Sequence, residues 1–161
     1  MIRPILATLG YVLSPDRQRV LMVHRNKRPG DIHAGFYNGL GGKVEPDEDV
    51  ATAMRREIHE EAGIEVTALT LRGTISWPGF GRPGEDWFGF LFRIDAFTGV
   101  PHVENDEGTL EWIPLAGLAE VPMWPSDANF LPMVFDDDLR LFHGCMPFAN
   151  GRMASWSYTR G

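Results

Sequence analysis

The sequence predicts a single α+β domain over residues 1–161, a sandwich in which strands before and after one helix form a mixed sheet. The chain of 161 residues has the size of one ordinary domain. Its most regular helical segment, Asp49–Ala62, lies between β-rich runs. Short turns join most of these runs, and this arrangement favours a helix packed in layers against a sheet.

The N-terminal part predicts two strands and an irregular segment. Ile5–Leu13 and Arg19–His24 are β-rich runs separated by the turn signal Ser14-Pro15-Asp16. The Lys27–Gly42 segment is rich in glycine and too irregular for a regular element. The first run is also apolar, but it is too short to span a membrane and lacks the cleavage pattern of a signal peptide. We therefore expect no membrane partner.

The Asp49–Ala62 segment is the best predicted helix. It has good helix formers, an acidic first turn and Gly63 just past its end. At 100° per residue its apolar side chains form one stripe, which must face the core. The stripe consists of Val50, Ala51, Met54, Ile58 and Ala62. Arg55 and His59 point the other way, into water.

The C-terminal half predicts three strands, a weak helix and a terminal hairpin. The strands are Thr67–Trp77, Trp87–Phe97 and Gly108–Pro114. Alternation places Phe88, Phe90, Phe92 and Ile94 on one face of the second strand. We interpret that whole aromatic run as core. The weak helix lies within Ser126–Phe135, and Leu141–Phe148 can close as a hairpin with Met153–Tyr158.

Charge and cysteine content narrow the partners and the compartment. The chain has 15 basic and 22 acidic residues and a net charge of −7. An acidic chain repels nucleic acid, so a DNA or RNA polymer is not expected as a partner. A phosphorylated small molecule needs a metal ion or a basic cluster to reverse the field. The single cysteine, Cys145, cannot form an internal disulfide, which fits a reducing cytoplasm.

Three glutamates on the predicted helix are candidate metal ligands. Glu57 and Glu61 lie on its inward side, four residues apart, and Glu60 lies beside them. The alternative is a solvated helix face, the usual environment of a charge run. Like charges at this spacing destabilise a helix, and their partial burial costs more unless a cation is present. A set of oxygen ligands suits Mg²⁺ or Mn²⁺.

The surrounding residues extend this cluster into a longer motif. Gly42 is followed by five residues and Glu48, then by seven residues and Arg56-Glu57-Ile58-His59-Glu60-Glu61-Ala62-Gly63-Ile64. This segment resembles the Nudix box at every fixed position. The resemblance implies a Nudix hydrolase and a Nudix-type α/β/α sandwich with a mixed, curved central sheet.

The resemblance also implies a metal centre with Mg²⁺ as cofactor and Mn²⁺ as a possible substitute. The implied ligands are the Gly41 carbonyl, Glu57, Glu60, Glu61 and, as an extra metal-site acid, Glu107. Either Glu61 or Glu107 would act as the base. Arg56 would hold a ligand glutamate in place, and Glu48 would pair with Arg56 at the base of the helix.

Segments outside the box point to one branch of the family. Phe36–Val44, Glu104–Glu107, Met123–Asp127 and Phe142–Gly144 resemble the MutT-type and animal-type 8-oxo-dGTP diphosphatases. The step of 17 residues from Glu107 to Trp124 is also the same. This resemblance implies hydrolysis of a nucleoside triphosphate, an oxidised purine such as 8-oxo-dGTP, to monophosphate and pyrophosphate.

By position, the same resemblance implies a set of substrate-binding residues. Asn38, Trp124 and Asp127 would bind the base, Trp77 and Thr8 would line its pocket, and Arg25 and Lys43 would serve the phosphates. The family commonly has two adjacent aspartates where this chain has Ser126-Asp127, so we expect weaker or broader selectivity. The Lys27–Gly35 loop is longer than in the animal enzymes and could remodel the mouth of the pocket.

Several alternatives stay open at the level of sequence. Trp124 could be a packed corner, Asp127 a helix N-terminal residue, Glu107 a turn cap, Asn38 a brace of the glycine loop and Lys43 a solvated lysine. The substrate could instead be an ordinary nucleoside triphosphate or a nucleotide sugar. A non-catalytic nucleotide-binding module is a third possibility, although such modules usually lose box glutamates and this chain keeps all of them. The oligomeric state is not predicted.

Overall fold

The computed structural model describes residues 1–161, which form eleven strands and two α-helices. The strands are β1 Ile5–Leu13, β2 Arg19–Arg25, β3 Tyr37–Asn38, β4 Leu40–Lys43, β5 Glu65–Pro78, β6 Asp86–Thr98, β7 Gly108–Pro114, β8 Phe142–Cys145, β9 Phe148–Ala149, β10 Arg152–Met153 and β11 Ser157–Arg160. The helices are α1 Val50–Ala62 and α2 Leu131–Phe135, and two 3₁₀ segments cover Leu115–Glu120 and Pro125–Asn129.

Nine strands form one mixed sheet. Its order is β11-β8-β5-β6-β1-β2-β3, with β4 paired to β1 and β7 paired to β2. The β1–β6 and β5–β8 pairs are parallel, and the other pairs are antiparallel. Register shifts interrupt the long β5–β6 pair, and such bulges bend a strand. The prediction of an α+β fold with a mixed sheet is confirmed.

Strand β1 brings the glycine-rich segment to the centre of the sheet. Its residues Ala7–Gly10 pair with β4, whereas Val12 and Leu13 pair with β2. The expectation that Lys27–Gly42 holds no regular element is therefore wrong at its end, where β3 and β4 form. These strands have only two and four residues, which is too short for a recognisable alternation of apolar and polar side chains. Pairing with β1 and β2 holds them in place.

The sheet separates two hydrophobic cores. Tyr11 and Val12 are neighbours in β1, but alternation sends the first into one core and the second into the other. Helix α1 contributes Met54 and Ile58 to the Val12 core, and α2 contributes Val134 to the Tyr11 core. Helices thus cover both faces of the sheet, which is the predicted sandwich.

Helix α1 has a well-defined cap at each end. The Asp49 side chain accepts a hydrogen bond of 2.8 Å from the Thr52 N–H, and Gly63 closes the helix with a φ of 73°. Asp49 is thus the N-cap, and the predicted acidic first turn is wrong. The buried stripe includes Ala53, with Ala51 only half-buried, because α1 packs against β1, β4 and β5 together.

The C-terminal segment closes the side of the sheet that carries α2. Strands β8 and β11 pair as a terminal hairpin, but its second strand is Ser157–Arg160 and not the predicted Met153–Tyr158. Strands β9 and β10 form a small ribbon between them, which includes Met153. Arg72 of β5, only 1% exposed, donates hydrogen bonds to the backbone carbonyls of Met133, Val134 and Asp138. These bonds satisfy carbonyls at and beyond the end of α2 and fix it to the sheet. No helix is long and apolar enough to cross a membrane.

Candidate active site

Two glycines of β4 lie directly against β1 and α1. The Gly41 N–H donates a hydrogen bond of 3.0 Å to Glu61 Oε2. A Cβ atom at Gly41 would collide with the backbone oxygen of Thr8, and one at Gly42 would lie 2.5 Å from Glu57 Oε1. Only glycine permits this approach, so the loop brings backbone groups against both inward glutamates of α1.

Arg56 organises the outer part of the glutamate cluster. Its guanidinium binds Glu48 in a bidentate manner, with Nε–Oε2 and Nη2–Oε1 distances of 2.9 and 2.6 Å. It also donates to Glu57 at 3.0 Å and to Glu60 at 3.3 Å. The predicted Glu48–Arg56 pair is present. The Arg56 hydrogen bonds hold the pKa of Glu48 below its usual range.

Glu61 is the most buried carboxyl of the cluster. Burial, followed by the negative charges of Glu107 and Glu57, raises its pKa to about 8. Burial also raises the pKa of Glu57, against the effect of Arg56. Glu61 is therefore repelled by two carboxylates, Glu57 on α1 and Glu107 just before β7. A cation between them would relieve this repulsion.

A turn before β7 brings Glu107 to this cluster. The Asn105 side chain accepts hydrogen bonds from the N–H groups of Glu107 and Gly108, at 2.9 and 3.2 Å, and donates one of 3.2 Å to the Glu61 carbonyl. Sequence reasoning missed Asn105, because its partner Glu61 is 44 residues away. Glu107 thus lies in a turn and also faces Glu61.

The predicted metal ligands do not converge on one point in this structure, and no group of three acidic, histidine or cysteine side chains is arranged as a metal site. Several of them are paired with arginines instead. Arg56 binds Glu57 and Glu60, and Arg25 binds Glu107 at 3.1 Å. The Glu60 side chain is 56% exposed, against 14% for Glu57, so Glu60 lies at the edge of the cluster.

The two predicted phosphate-binding cations have different surroundings. Arg25 is mostly buried and bound to carboxylates on both sides, Asp31 at 2.9 Å and Glu107 at 3.1 Å. Lys43 is exposed, and its ammonium lies 5.5 Å from the centre of the Trp87 ring. Lys43 thus has no carboxylate partner and lies against a ring of the cavity wall, whereas the charge of Arg25 is neutralised within the protein.

A cavity of about 500 Å³ opens on the α2 side of β1, beside β4. All five residues predicted to bind or surround the base line it, namely Thr8, Asn38, Trp77, Trp124 and Asp127. Thr8 connects the cavity to the glutamate cluster, because its hydroxyl contacts the Gly42 carbonyl at 3.4 Å. The walls are mostly apolar, with a few polar groups, as in many sites for small ligands.

Three polar groups in the walls stand out. The Nδ2 atom of Asn38 and the Nε1 atom of Trp87 are buried without a hydrogen-bond partner. Asp127 lies in the 3₁₀ segment before α2, and burial raises its pKa to about 7. Buried polar groups without partners are uncommon in folded proteins, and they can mark groups that a ligand satisfies.

Several lining residues were not predicted. Trp87, interpreted as core, lines the cavity instead, because β6 alternation sends it to the face opposite Phe90 and Phe92. Phe80 and Phe148 pack together at 5.1 Å between ring centres and add to the same wall. The alternation of side chains along β6 could have identified Trp87. Phe80 in the β5–β6 turn and Phe148 in the two-residue strand β9 belong to no such pattern.

The loop before β3 also reaches the cavity, as predicted for the mouth of the pocket. Ile32 and His33 line it. The Trp124 indole N–H donates a hydrogen bond of 2.6 Å to Nδ1 of His33, and the Phe36 ring lies 4.8 Å from that of Trp124. Trp124 is therefore part of the cavity wall, and contacts with His33 and Phe36 hold its ring in place.

Comparison with known proteins agrees with this geometry. The NUDIX domain family matches residues 4–134. The oxidized purine nucleoside triphosphate hydrolase of Mus musculus is 35% identical over 129 residues, which cover 80% of this chain and 78% of that protein. The hydrolase of the same description from Danio rerio is 34% identical with the same coverage. The crystal structure of the mutator MutT protein from Bacillus halodurans has a TM-score of 0.81 at 25% identity and covers 96% of this chain and 97% of that one.

Proposed function

Because this chain belongs to the Nudix family and is a Nudix hydrolase, we propose that it cleaves a nucleoside triphosphate to monophosphate and pyrophosphate. We propose an oxidised purine such as 8-oxo-dGTP as the preferred substrate, within the cytoplasm. The relatives from Mus musculus and Danio rerio, both described as hydrolases of oxidized purine nucleoside triphosphates, support this choice.

The observation that most supports the substrate is the position of the cavity relative to the glutamates. Asn38 lies in its wall and Gly41 lies three residues later, in contact with Glu61. Thr8 adds a second connection through Gly42. A base held in the cavity would therefore leave its phosphate chain directed toward Glu57 and Glu61.

The polar groups of the cavity suit an oxidised purine. Oxidation of guanine adds an oxygen at C8 and a proton at N7. The unpartnered Asn38 amide offers a donor and an acceptor, and the Asp127 carboxyl either accepts or donates according to its protonation. A site that pairs with such an edge leaves groups unsatisfied when the ordinary base binds, and this loss produces discrimination.

We further propose Mg²⁺ as the cofactor, with Mn²⁺ as a substitute. The residues fit such an ion, because the inward side chains supply only oxygen ligands. Burial and the charges of Glu107 and Glu57 disfavour the ionised form of Glu61, and a bound cation would favour it. When bound, the metal neutralises the phosphate chain and polarises the attacked phosphoryl group. We assign Gly41, Glu57, Glu60, Glu61 and Glu107 as residues that would hold it.

The remaining roles follow from the contacts of each side chain. Arg56 fixes the Glu57 carboxylate, and the Gly41 N–H fixes that of Glu61. Glu61 or Glu107 would accept the proton of the attacking water. Lys43 is free to meet the phosphates, whereas Arg25 would act by orienting Glu107.

A nucleotide panel tests this proposal. We would measure kcat/KM by chromatographic detection of the nucleoside monophosphate product for 8-oxo-dGTP, dGTP, dCTP and a nucleotide sugar, in Mg²⁺, Mn²⁺ and excess chelator. We expect 8-oxo-dGTP to be the best substrate and chelation to abolish turnover. A nucleotide sugar or dCTP cleaved faster than 8-oxo-dGTP would overturn the substrate, and full turnover in chelator would overturn the metal.

Broader use of ordinary nucleoside triphosphates is the second candidate, and one observation favours it. Ser126 lines the cavity beside Asp127, so a hydroxyl stands where related enzymes commonly have a second carboxyl. A hydroxyl both donates and accepts, and it discriminates less between base edges than a carboxyl of fixed protonation. Near-equal kcat/KM values for 8-oxo-dGTP and dGTP would support this candidate.

A further inference from the structure

The loop between β2 and β3, residues 26–36, is fastened over the mouth of the cavity. Gly30 and Gly35 adopt positive φ angles of 71° and 84°, which let the chain turn sharply at both points. The Gly35 N–H donates to the Arg25 carbonyl at 2.7 Å, and the Phe36 N–H donates to the His33 carbonyl at 2.9 Å. The backbone around His33 is therefore held by its own hydrogen bonds.

The His33 side chain makes a directional contact with Trp124. The Trp124 Nε1–H lies 2.6 Å from His33 Nδ1, and the two rings are nearly perpendicular at 86°. An indole nitrogen can only donate, so Nδ1 must be unprotonated and accept. The Phe36 ring packs on Trp124 at 4.8 Å with a tilt of 58°. One hydrogen bond and one ring contact thus define the plane of the indole.

A chain of hydrogen bonds links His33 to the glutamate cluster. The Asp31 carboxylate accepts the His33 N–H at 3.0 Å and the Arg25 Nε–H at 2.9 Å. Arg25 in turn donates to Glu107 at 3.1 Å. Trp124 and Glu107, on opposite sides of the site, are therefore connected through three residues of one loop and its preceding strand.

We propose that His33 is a positioning residue, which holds the Trp124 indole in the plane required to stack on the nucleobase. This inference rests on the proposed function, because it assumes that the cavity holds the base. Without the acceptor at Nδ1, the indole would keep its pocket but lose the contact that selects its orientation. Stacking depends on the angle between the two planes, so base affinity would fall while the glutamate cluster is unchanged.

Substitution of His33 separates this role from bulk packing. We expect His33→Ala to raise KM for the preferred nucleotide by about three- to tenfold, the range that one hydrogen bond contributes, with kcat within about twofold. His33→Asn should restore most of the loss, because its Oδ1 can occupy the position of Nδ1 and accept from the indole. His143→Ala is the matched control, since His143 is exposed and bonds Thr74 outside the cavity.

A double-mutant cycle tests whether the effect passes through the indole N–H. Trp124→Phe removes the donor and keeps a flat ring. If His33 acts through this bond, adding His33→Ala to Trp124→Phe should produce no further increase in KM. An additive increase of the two effects would overturn the proposal.

The indole proton gives a readout that does not depend on turnover. In ¹H–¹⁵N spectra of the full chain without nucleotide, the Trp124 signal is identified by its loss in Trp124→Phe. We expect it to move upfield and exchange faster in His33→Ala and to stay near its original position in His33→Asn. An unmoved signal in His33→Ala would overturn the proposal. If the signal moves but Trp124→Ala leaves KM unchanged for every nucleotide tested, then the base-site assignment has failed instead.

Discussion

Glu57 and Glu60 lie three residues apart on α1, but their surroundings differ. The Glu57 side chain is enclosed by Gly42 and Arg56, whereas the Glu60 side chain is mostly in water. We expect Glu57→Gln or Glu61→Gln to lower kcat by about a hundredfold or more, and Glu60→Gln by less than about tenfold. Steady-state kinetics in Mg²⁺, with melting curves to verify folding, would measure this. Near-normal turnover in the first two variants would refute the ligand assignment.

The buried carboxyl of Asp127 should make the stability of the folded protein depend on pH. Burial raises its pKa from 3.8 to about 7. Between these values the unfolded chain has released the proton that the folded chain retains, so stability falls as pH rises from about 4 to about 7. Asp127→Asn removes this loss. We therefore expect its melting temperature to match the parent near pH 4 and to exceed it by about 3–8 °C at pH 8.

Thermal unfolding without nucleotide, at intervals from pH 4 to pH 8, would check this difference. Asp138→Asn is a suitable control, because hydrogen bonds with Arg140 lower the pKa of Asp138 and removing its charge should give no gain at neutral pH. A constant difference between Asp127→Asn and the parent across the pH range would contradict the assigned environment of Asp127.

Trp124 carries the stacking prediction. Stacking of one base on an aromatic ring is worth about 1–3 kcal/mol, so Trp124→Ala should raise KM by about fivefold or more. The indole is bound to the loop residue His33 and not to a glutamate, so kcat should change little. Trp156→Ala serves as the comparison, because Trp156 stacks on Tyr158 and does not line the cavity. Equal KM values for the two variants would remove Trp124 from the base site.

At the scale of elements, the β4–β1 contact depends on a missing side chain. A Cβ atom at Gly41 would collide with the Thr8 backbone oxygen, and the same residue donates to Glu61. We expect Gly41→Ala to lower the melting temperature by about 5 °C or more and to reduce kcat. Gly117→Ala, with no atom within 4 Å of the new Cβ, should change neither. A stable, active Gly41→Ala variant would show that β4 can move away without consequence.

Elements with strong local patterns could be predicted closely from the sequence. Strands β1 and β7 have the predicted bounds, and Gly63 ends α1 as expected. Strands β3 and β4 could not be predicted, because two to four residues are too few for a periodic signal and their pairing partners lie in other segments. Ala53 is buried in place of the predicted Ala51, and this likewise depends on which strands surround α1.

At the scale of the whole molecule, the cavity is assembled from segments that are far apart in the chain. Thr8, Asn38, Trp77, Trp124 and Asp127 could be placed in it because each matches, by position, a base-pocket residue of the family that the sequence resembles. His33 could not, since its bond to Trp124 spans 91 residues and nothing local marks it. The arginine partners of the glutamates could be predicted only in part: Glu48 with Arg56 was expected, but Glu107 with Arg25 was not.

The division of the interior by the sheet has an evolutionary consequence. The glutamate helix packs in the Val12 core, whereas Trp77 and Phe148 of the cavity wall pack in the Tyr11 core. The wall residues of the Tyr11 core thus lie across β1 from the helix that carries the glutamates. Selection can therefore change these wall residues one at a time while the packing of the glutamate helix stays as it is. A single scaffold can in this way diversify in substrate without first losing its reaction.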